Sequence, residues 1–352
     1  MTKWNIIIII VLLIGIGGFY FYNQSRQFKL PRGETKVLET TPIDSNPSLD
    51  SNMPTNIPTS VTSDRQILIT DGVKHSVPLK EILSGGPPKD GIPSIDDPKF
   101  LSIKEADFLK DEETGTGLCV GNDCRFYPYQ ILVWHEIVND TVGGQPVLVT
   151  YCPLCLTGII FERKLEGQTV EFGTSGKLWK SNLVMYNRTQ DEKKESLWSQ
   201  VLGEAIVGEH TGTKLKVISS DVIRYSDWKK LHPNTTVLSK DTGTIRTYGY
   251  DPYGDYYTSN DVSFGASFND DRLHPKEFVL GIQIGGKYKA YHSEALKAGE
   301  TQDDFNGETI FIQKKPEGEV RMFIGADREP LPYIGGFWFS WLAVHPDTEL
   351  YK

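Results

Sequence analysis

The chain has 352 residues, 38% hydrophobic and 24% charged, values of a sequence that folds over most of its length. Its net charge is −9. Residues 1–64 contribute five basic and five acidic side chains, so residues 65–352 carry the whole excess without a basic run, which argues against nucleic acid as a partner. Sixteen Phe, sixteen Tyr, 33 Gly and 20 Pro favour strands and turns over a helical bundle.

In chain order, Ile6 to Tyr22 is an uncharged run preceded by Lys3-Trp4 and ending Phe19-Tyr-Phe-Tyr22. As a helix it spans roughly 25 Å, enough for a bilayer core with aromatic ends at the interface. The expectation is an uncleaved anchor over residues 1–23, with the membrane as a partner through residues 6–22. Residues 24–64 follow as a disordered linker, and Thr40 to Asp64 in particular is Ser, Thr, Asn and Pro with little apolar content. The folded domain, residues 65–352, is then expected outside the cytoplasm at the cell membrane. That side suits the even count of four cysteines, in two close pairs.

Gln66-Ile-Leu-Ile-Thr70 reads as a strand. The Pro-rich stretch Gly86 to Pro98 reads as an extended arm, because each Pro biases its predecessor away from the helical region. Ser102 to Leu109 reads as a short helix, with Ser102 as N-cap and Glu105 completing a capping box.

The middle and the end of the chain resemble each other. Gly117-Leu-Cys-Val-Gly-Asn-Asp-Cys-Arg-Phe-Tyr127 is echoed by Gly281-Ile-Gln-Ile-Gly-Gly-Lys-Tyr-Lys-Ala-Tyr291, and Trp228-x-x-x-His232-Pro-Asn-Thr235 by Trp341-x-x-x-His345-Pro-Asp-Thr348. Each copy reads as a hairpin, a short helix and a further strand, with Pro blocking continuation of the last helix. The expected fold class is α+β and β-rich: two related sheet-plus-helix halves, about 115–240 and 278–352, behind the N-terminal transmembrane helix. His232 and His345, present in both copies, are expected to cap helices or satisfy the core.

Only the first copy carries His135-Glu136 and Cys152-Pro-Leu-Cys155. Two thiols at this spacing can share a soft metal, form a reducible disulfide or remain a thiol pair. Cys152, Cys155 and His135 are the candidate metal ligands, for copper or zinc. Glu136 would orient His135, or act as a base on metal-bound water. Met185 could be a soft axial ligand, though a single Met is usually packing. Alternatively, Cys152 or Cys155 is the nucleophile of an enzyme, its pKa lowered by His135, or the cysteines are structural in a surface interaction protein. Cys119 and Cys124 flank a Gly-Asn turn, where opposed hairpin positions would allow a staple disulfide.

The chain resembles the prokaryotic domain of unknown function 3179 family. The likeness rests on Gly91-Ile-Pro-Ser-Ile-Asp-Asp-Pro-Lys-Phe100, His135-Glu-Ile-Val-Asn-Asp140, Thr150-Tyr-Cys-Pro-Leu-Cys155, Phe172-Gly-x-Ser-Gly176, Leu183-Val-Met-Tyr186, Ser196-Leu-Trp-Ser-Gln200 and the Trp-x-x-x-His-Pro-x-Thr endings. It covers roughly residues 65–352. The resemblance implies a secretion signal or anchor and no particular activity, substrate or cofactor. Cys119 and Cys124 look like an addition to the family's pattern.

Overall fold

A computed structural model describes residues 28–38 and 65–352. It is 42% strand and 11% helix, in a four-bladed, propeller-like arrangement. The expected α+β class is corrected on this point. Among the described residues the α-helices are Tyr129–Leu132, Tyr225–Leu231 and Trp338–Val344, two turns at most and too short to form a layer. Pro233 and Pro346 follow the last two directly after His232 and His345, stopping each helix where it meets its sheet.

Two sheets share one strand order. In the first, Asp221–Arg224, Thr114–Val120, Asp123–Pro128 and Thr236–Leu238 lie side by side, with Phe100–Ser102 added at the edge. In the second the order is Ile334–Phe337, Phe278–Ile284, Lys287–His292 and Glu349–Tyr351. In each, the outer strand that follows a helix runs parallel to the second hairpin strand. Gly285 and Gly286 turn the second hairpin with φ of 57° and 76°, a conformation that costs glycine little.

The repeated Trp has a repeated setting. Trp228 donates its indole N–H to Thr235 Oγ1 at 2.9 Å, and Trp341 does the same to Thr348 Oγ1 at 2.9 Å. A Cβ on Gly117 would stand 2.5 Å from the Trp228 ring, and one on Gly281 2.4 Å from Trp341. In each sheet the missing side chain is the space the indole occupies.

Two further four-stranded sheets follow the hairpins: Ile137–Val142, Gln145–Cys152, Thr157–Glu162 and Val217–Ile218, then Gly299–Phe305, Glu308–Lys314, Val320–Ile324 and Glu329–Pro330. The description as two halves is incomplete, because residues 163–216 intervene in the first. That insertion supplies Phe172–Trp179, Asn182–Asn187, Leu197–Ser199 and Glu204–Val207 to an eight-stranded sheet, which the N-terminal strands complete.

Thr35–Val37 pairs antiparallel with Leu68–Thr70, and Phe28 and Leu30 pack on the core. Residues 28–38 of the expected linker are therefore part of the fold, while Thr40 to Asp64 lies outside the described residues. The expected anchor over residues 6–22 lies outside them too. Among the described residues no helix is long and apolar enough to cross a membrane, so the expected single-pass placement at the cell membrane is corrected: no described element carries it. The helix expected over Ser102 to Leu109 is a turn. Its capping contacts form nonetheless, with Ser102 N–H and Oγ donating to Glu105 Oε2 at 2.9 and 2.6 Å.

Candidate thiol site

The strand Gln145–Cys152 ends at the first cysteine, and Pro153 opens the 3-10 turn Pro153–Cys155. Leu156 then takes φ 49°, and Thr157 pairs back against Cys152. The C-x-x-C is thus the bend of a hairpin, stiffened by the fixed φ of proline. Both thiols are free and buried. They face one acceptor, the carbonyl of Ser181, at 3.7 Å from Cys152 Sγ and 3.3 Å from Cys155 Sγ. Lys180 and Ser181 both have positive φ, 54° and 64°, and form the turn by which the inserted sheet reaches over the sulfurs.

A second layer comes from residues 239–277, the long connection between Thr236–Leu238 and Phe278–Ile284. Connections of this length with so little regular structure are commonly functional covers. Ser181 N–H donates to Phe264 O at 3.0 Å, its hydroxyl donates to Ser263 O, and Tyr256 O–H donates to Leu154 O at 3.1 Å. Tyr253, Tyr256, Tyr257 and Phe268 pack on the core cluster that contains both cysteines. The second copy contributes as well. Gly336 has no side chain where a Cβ would meet Thr157 Cγ2 at 2.4 Å, with Cys155 O at 3.3 Å, so the strand Ile334–Phe337 passes close by the cysteine turn.

Lys276 is the unexpected member. It is 7% exposed, and its Nζ has no hydrogen-bond partner among the described residues. The ammonium lies 3.3 Å from the centre of the Tyr256 ring, 4.6 Å from Phe339 and 5.4 Å from Phe337. Burial lowers its pKa to about 8, against the opposing pull of Cys155 and Asp261.

The two thiols are driven apart. Burial raises Cys152 well above the ordinary thiol range, with Cys155 and the Glu136 charge adding to it. Burial also raises Cys155, but the dipoles of Cys152, Ser340 and Asn182 and the charge of Lys276 outweigh it and hold this thiol below its usual value. Asn182 is itself fixed: its Nδ2 donates to Gln200 Oε1 at 2.8 Å and its Oδ1 accepts from Val201 N–H at 2.9 Å. Glu136 is buried at φ 58°, and desolvation lifts its carboxyl to about 8.

Of the residues singled out from the sequence, Cys152 and Cys155 come together, and Glu136 is near enough for its charge to act on Cys152. His135 does not join them. Its Nδ1 is 2.7 Å from Pro93 O, an acceptor, so Nδ1 carries the proton, and Nε2, also 2.7 Å away, accepts from Tyr248 O–H. Both nitrogens are occupied in tying the Pro-rich arm to the Tyr248 loop, and burial lowers the His135 pKa. Met185 is a wholly buried core residue. Cys119 and Cys124 form a disulfide between directly paired strand positions.

Among the described residues two groups of side chains could hold a metal, Cys119/Cys124/His232 and Glu277/His292/Glu294, and neither includes Cys152, Cys155 or His135. Lys276, Ser340, Asn182 and Tyr256 were not visible from the sequence. The one available signal was His274-Pro275, a third His-Pro pair directly before Lys276.

The sequence has its counterpart in a known family. The family model described as "Protein of unknown function (DUF3179)" matches residues 89–324, and the chain belongs to that family. No curated protein and no solved structure matches the chain.

Proposed function

We propose that Cys152 and Cys155 form a redox-active dithiol, with Cys155 the sulfur that reacts as thiolate. The observation that carries this reading is geometric: two free, buried thiols at C-x-x-C spacing converge on one carbonyl, that of Ser181, and the Lys276 cation favours the thiolate of Cys155. The reaction partner would be a small disulfide, since both sulfurs are buried beneath residues 239–277. Cys155 thiolate attacks one sulfur of the disulfide and releases a thiolate. The released thiolate takes the proton of Cys152, whose thiolate then attacks Cys155 Sγ in the mixed disulfide. The products are the Cys152–Cys155 bond, one thiol and a second thiolate, which takes its proton from solvent.

Equilibrating the full chain with oxidised and reduced glutathione, then mapping peptides, tests the reading. The expected result is a reversible Cys152–Cys155 disulfide. In addition, Cys152→Ser should trap glutathione on Cys155, and Cys155→Ser should trap none. Thiols that stay reduced in excess disulfide would remove the proposal.

A second reading, capture of a soft monovalent ion such as Cu(I), is favoured by two free thiols lying together with no third metal ligand beside them among the described residues. It predicts about one copper per chain after anaerobic purification, lost in both serine variants.

A further inference from the structure

The disulfide Cys119–Cys124 sits in the first hairpin, at positions facing each other across the strands. In the twin sheet the equivalent facing pair is Gln283 and Tyr288. Both sheets place a histidine at the same point beside this pair, directly after the short helix. His232 N–H donates to Trp228 O at 2.8 Å, and His345 N–H to Trp341 O at 3.0 Å. Each ring lies against its Trp, at 3.9 and 4.3 Å between centres. In the twin sheet the His345 ring also stacks on Tyr288 at 3.7 Å. In the first sheet there is no aromatic ring at that position, and two sulfurs take its place. His232 Nδ1 stands 3.4 Å from Cys119 Sγ and 3.6 Å from Cys124 Sγ.

Those distances have a chemical meaning. A tetrahedral zinc with Zn–S near 2.3 Å and Zn–N near 2.05 Å holds each sulfur about 3.6 Å from the nitrogen. The nitrogen is therefore already at ligand spacing from both sulfurs. Only the sulfurs must separate, to about 3.8 Å in a tetrahedral site, and rotation of the two cysteine side chains on their paired strands can supply that. We propose that Cys119, Cys124 and His232 form a redox-gated site for a thiophilic divalent cation such as zinc, closed while the disulfide is intact and opened by its reduction. The reductant is a small dithiol, which becomes a cyclic disulfide as the two cysteines each gain a proton. Cation binding then displaces those two protons, and water fills the fourth position. All three side chains are only partly buried, so both reagents can reach them.

The test uses the full chain reduced with a water-soluble phosphine. The phosphine takes oxygen from water to become its oxide while the two sulfurs become thiols. The phosphine is then removed anaerobically. Zinc is added in competition with a chromophoric chelator, and cysteines are alkylated with and without zinc. Tryptic peptides divide the cysteines cleanly, because Arg125 separates Cys119/Cys124 from Cys152/Cys155. The expected result is about one zinc bound after reduction and none before, with alkylation of Cys119 and Cys124 slowed at least tenfold by zinc. Cys119→Ser/Cys124→Ser should abolish this binding and His232→Gln weaken it at least tenfold, while His345→Gln leaves it unchanged. Equal zinc binding by oxidised and reduced chains would overturn the proposal, as would zinc protection confined to the Cys152/Cys155 peptide. The peptide protection needs no substitution, so a variant that fails to fold does not rescue or sink the result.

Discussion

Lys276 Nζ rests 3.3 Å from the centre of the Tyr256 ring and has no hydrogen-bond acceptor among the described residues. Aromatic faces can hold a cation without consuming its hydrogen bonds. Its charge therefore remains available to the thiol of Cys155, which it stabilises as thiolate.

Lys276→Met should raise the Cys155 pKa. Alkylation of Cys155 near pH 7 then slows, by roughly tenfold for each pKa unit, with the full pH profile displaced upward. The same substitution should alter stability in a directed way. Lys276 titrates at about 8 in the fold against 10.5 ordinarily, so between those values the unfolded chain binds more protons and stability rises with pH. Urea denaturation at pH 7 and pH 10 should show that rise in the parent chain and its loss in Lys276→Met.

Glu136 predicts the opposite slope. Its carboxyl titrates at about 8 in the fold against 4.5 ordinarily. Between those values the folded chain holds the extra proton, and stability falls as pH rises. Glu136→Gln should remove this fall and leave the variant the more stable at pH 8 and above, by at most about 5 kcal/mol. Parallel pH profiles for parent and variant would contradict the assignment.

The two glycines under the repeated indoles should behave alike. Gly117→Ala and Gly281→Ala each force a methyl into a Trp ring, at a cost of about 1–3 kcal/mol. Thermal unfolding should show both losses. If Gly117→Ala alone were tolerated, the two indole settings would not be equivalent.

Asp221, 2% exposed, joins the first hairpin sheet to the sheet that contains Val320–Ile324. It receives Arg321 Nη1 at 2.7 Å and Val320 N–H at 3.1 Å. Asp221→Ala leaves that amide without its acceptor, while Arg321, 34% exposed at its side chain, can still meet water. The expected loss is about 2–3 kcal/mol, less than for a fully buried ion pair, and Arg321→Met should cost a similar amount by the same urea measurement.

What the sequence disclosed was local. Cys152, Cys155 and the Gly-Asn and Gly-Gly hairpins are contiguous motifs whose geometry follows from a few residues. The blade-like arrangement was hidden because it depends on pairings such as Asp221–Arg224 with Thr114–Val120, far apart in the chain. The setting of His135 was hidden for a related reason: closeness in sequence does not fix side-chain direction, and Pro93 and Tyr248 claim its nitrogens from either side. Lys276 and Ser340, which act on Cys155, come from far along the chain, and neither lies in a patterned segment that marks chemistry.

The Lys180–Ser181 turn and residues 239–277 together bury the two sulfurs, and a reagent in solution meets them only when this cover lifts. At saturating reagent, the consumption of Cys155 would run at the rate of lifting itself. At low reagent it would run at the fraction of time spent lifted, multiplied by the intrinsic reactivity of the thiol. The sulfur is thus a built-in stopwatch for the motion of its own cover, and a concentration series on one unmodified chain reads both the speed and the equilibrium of that motion.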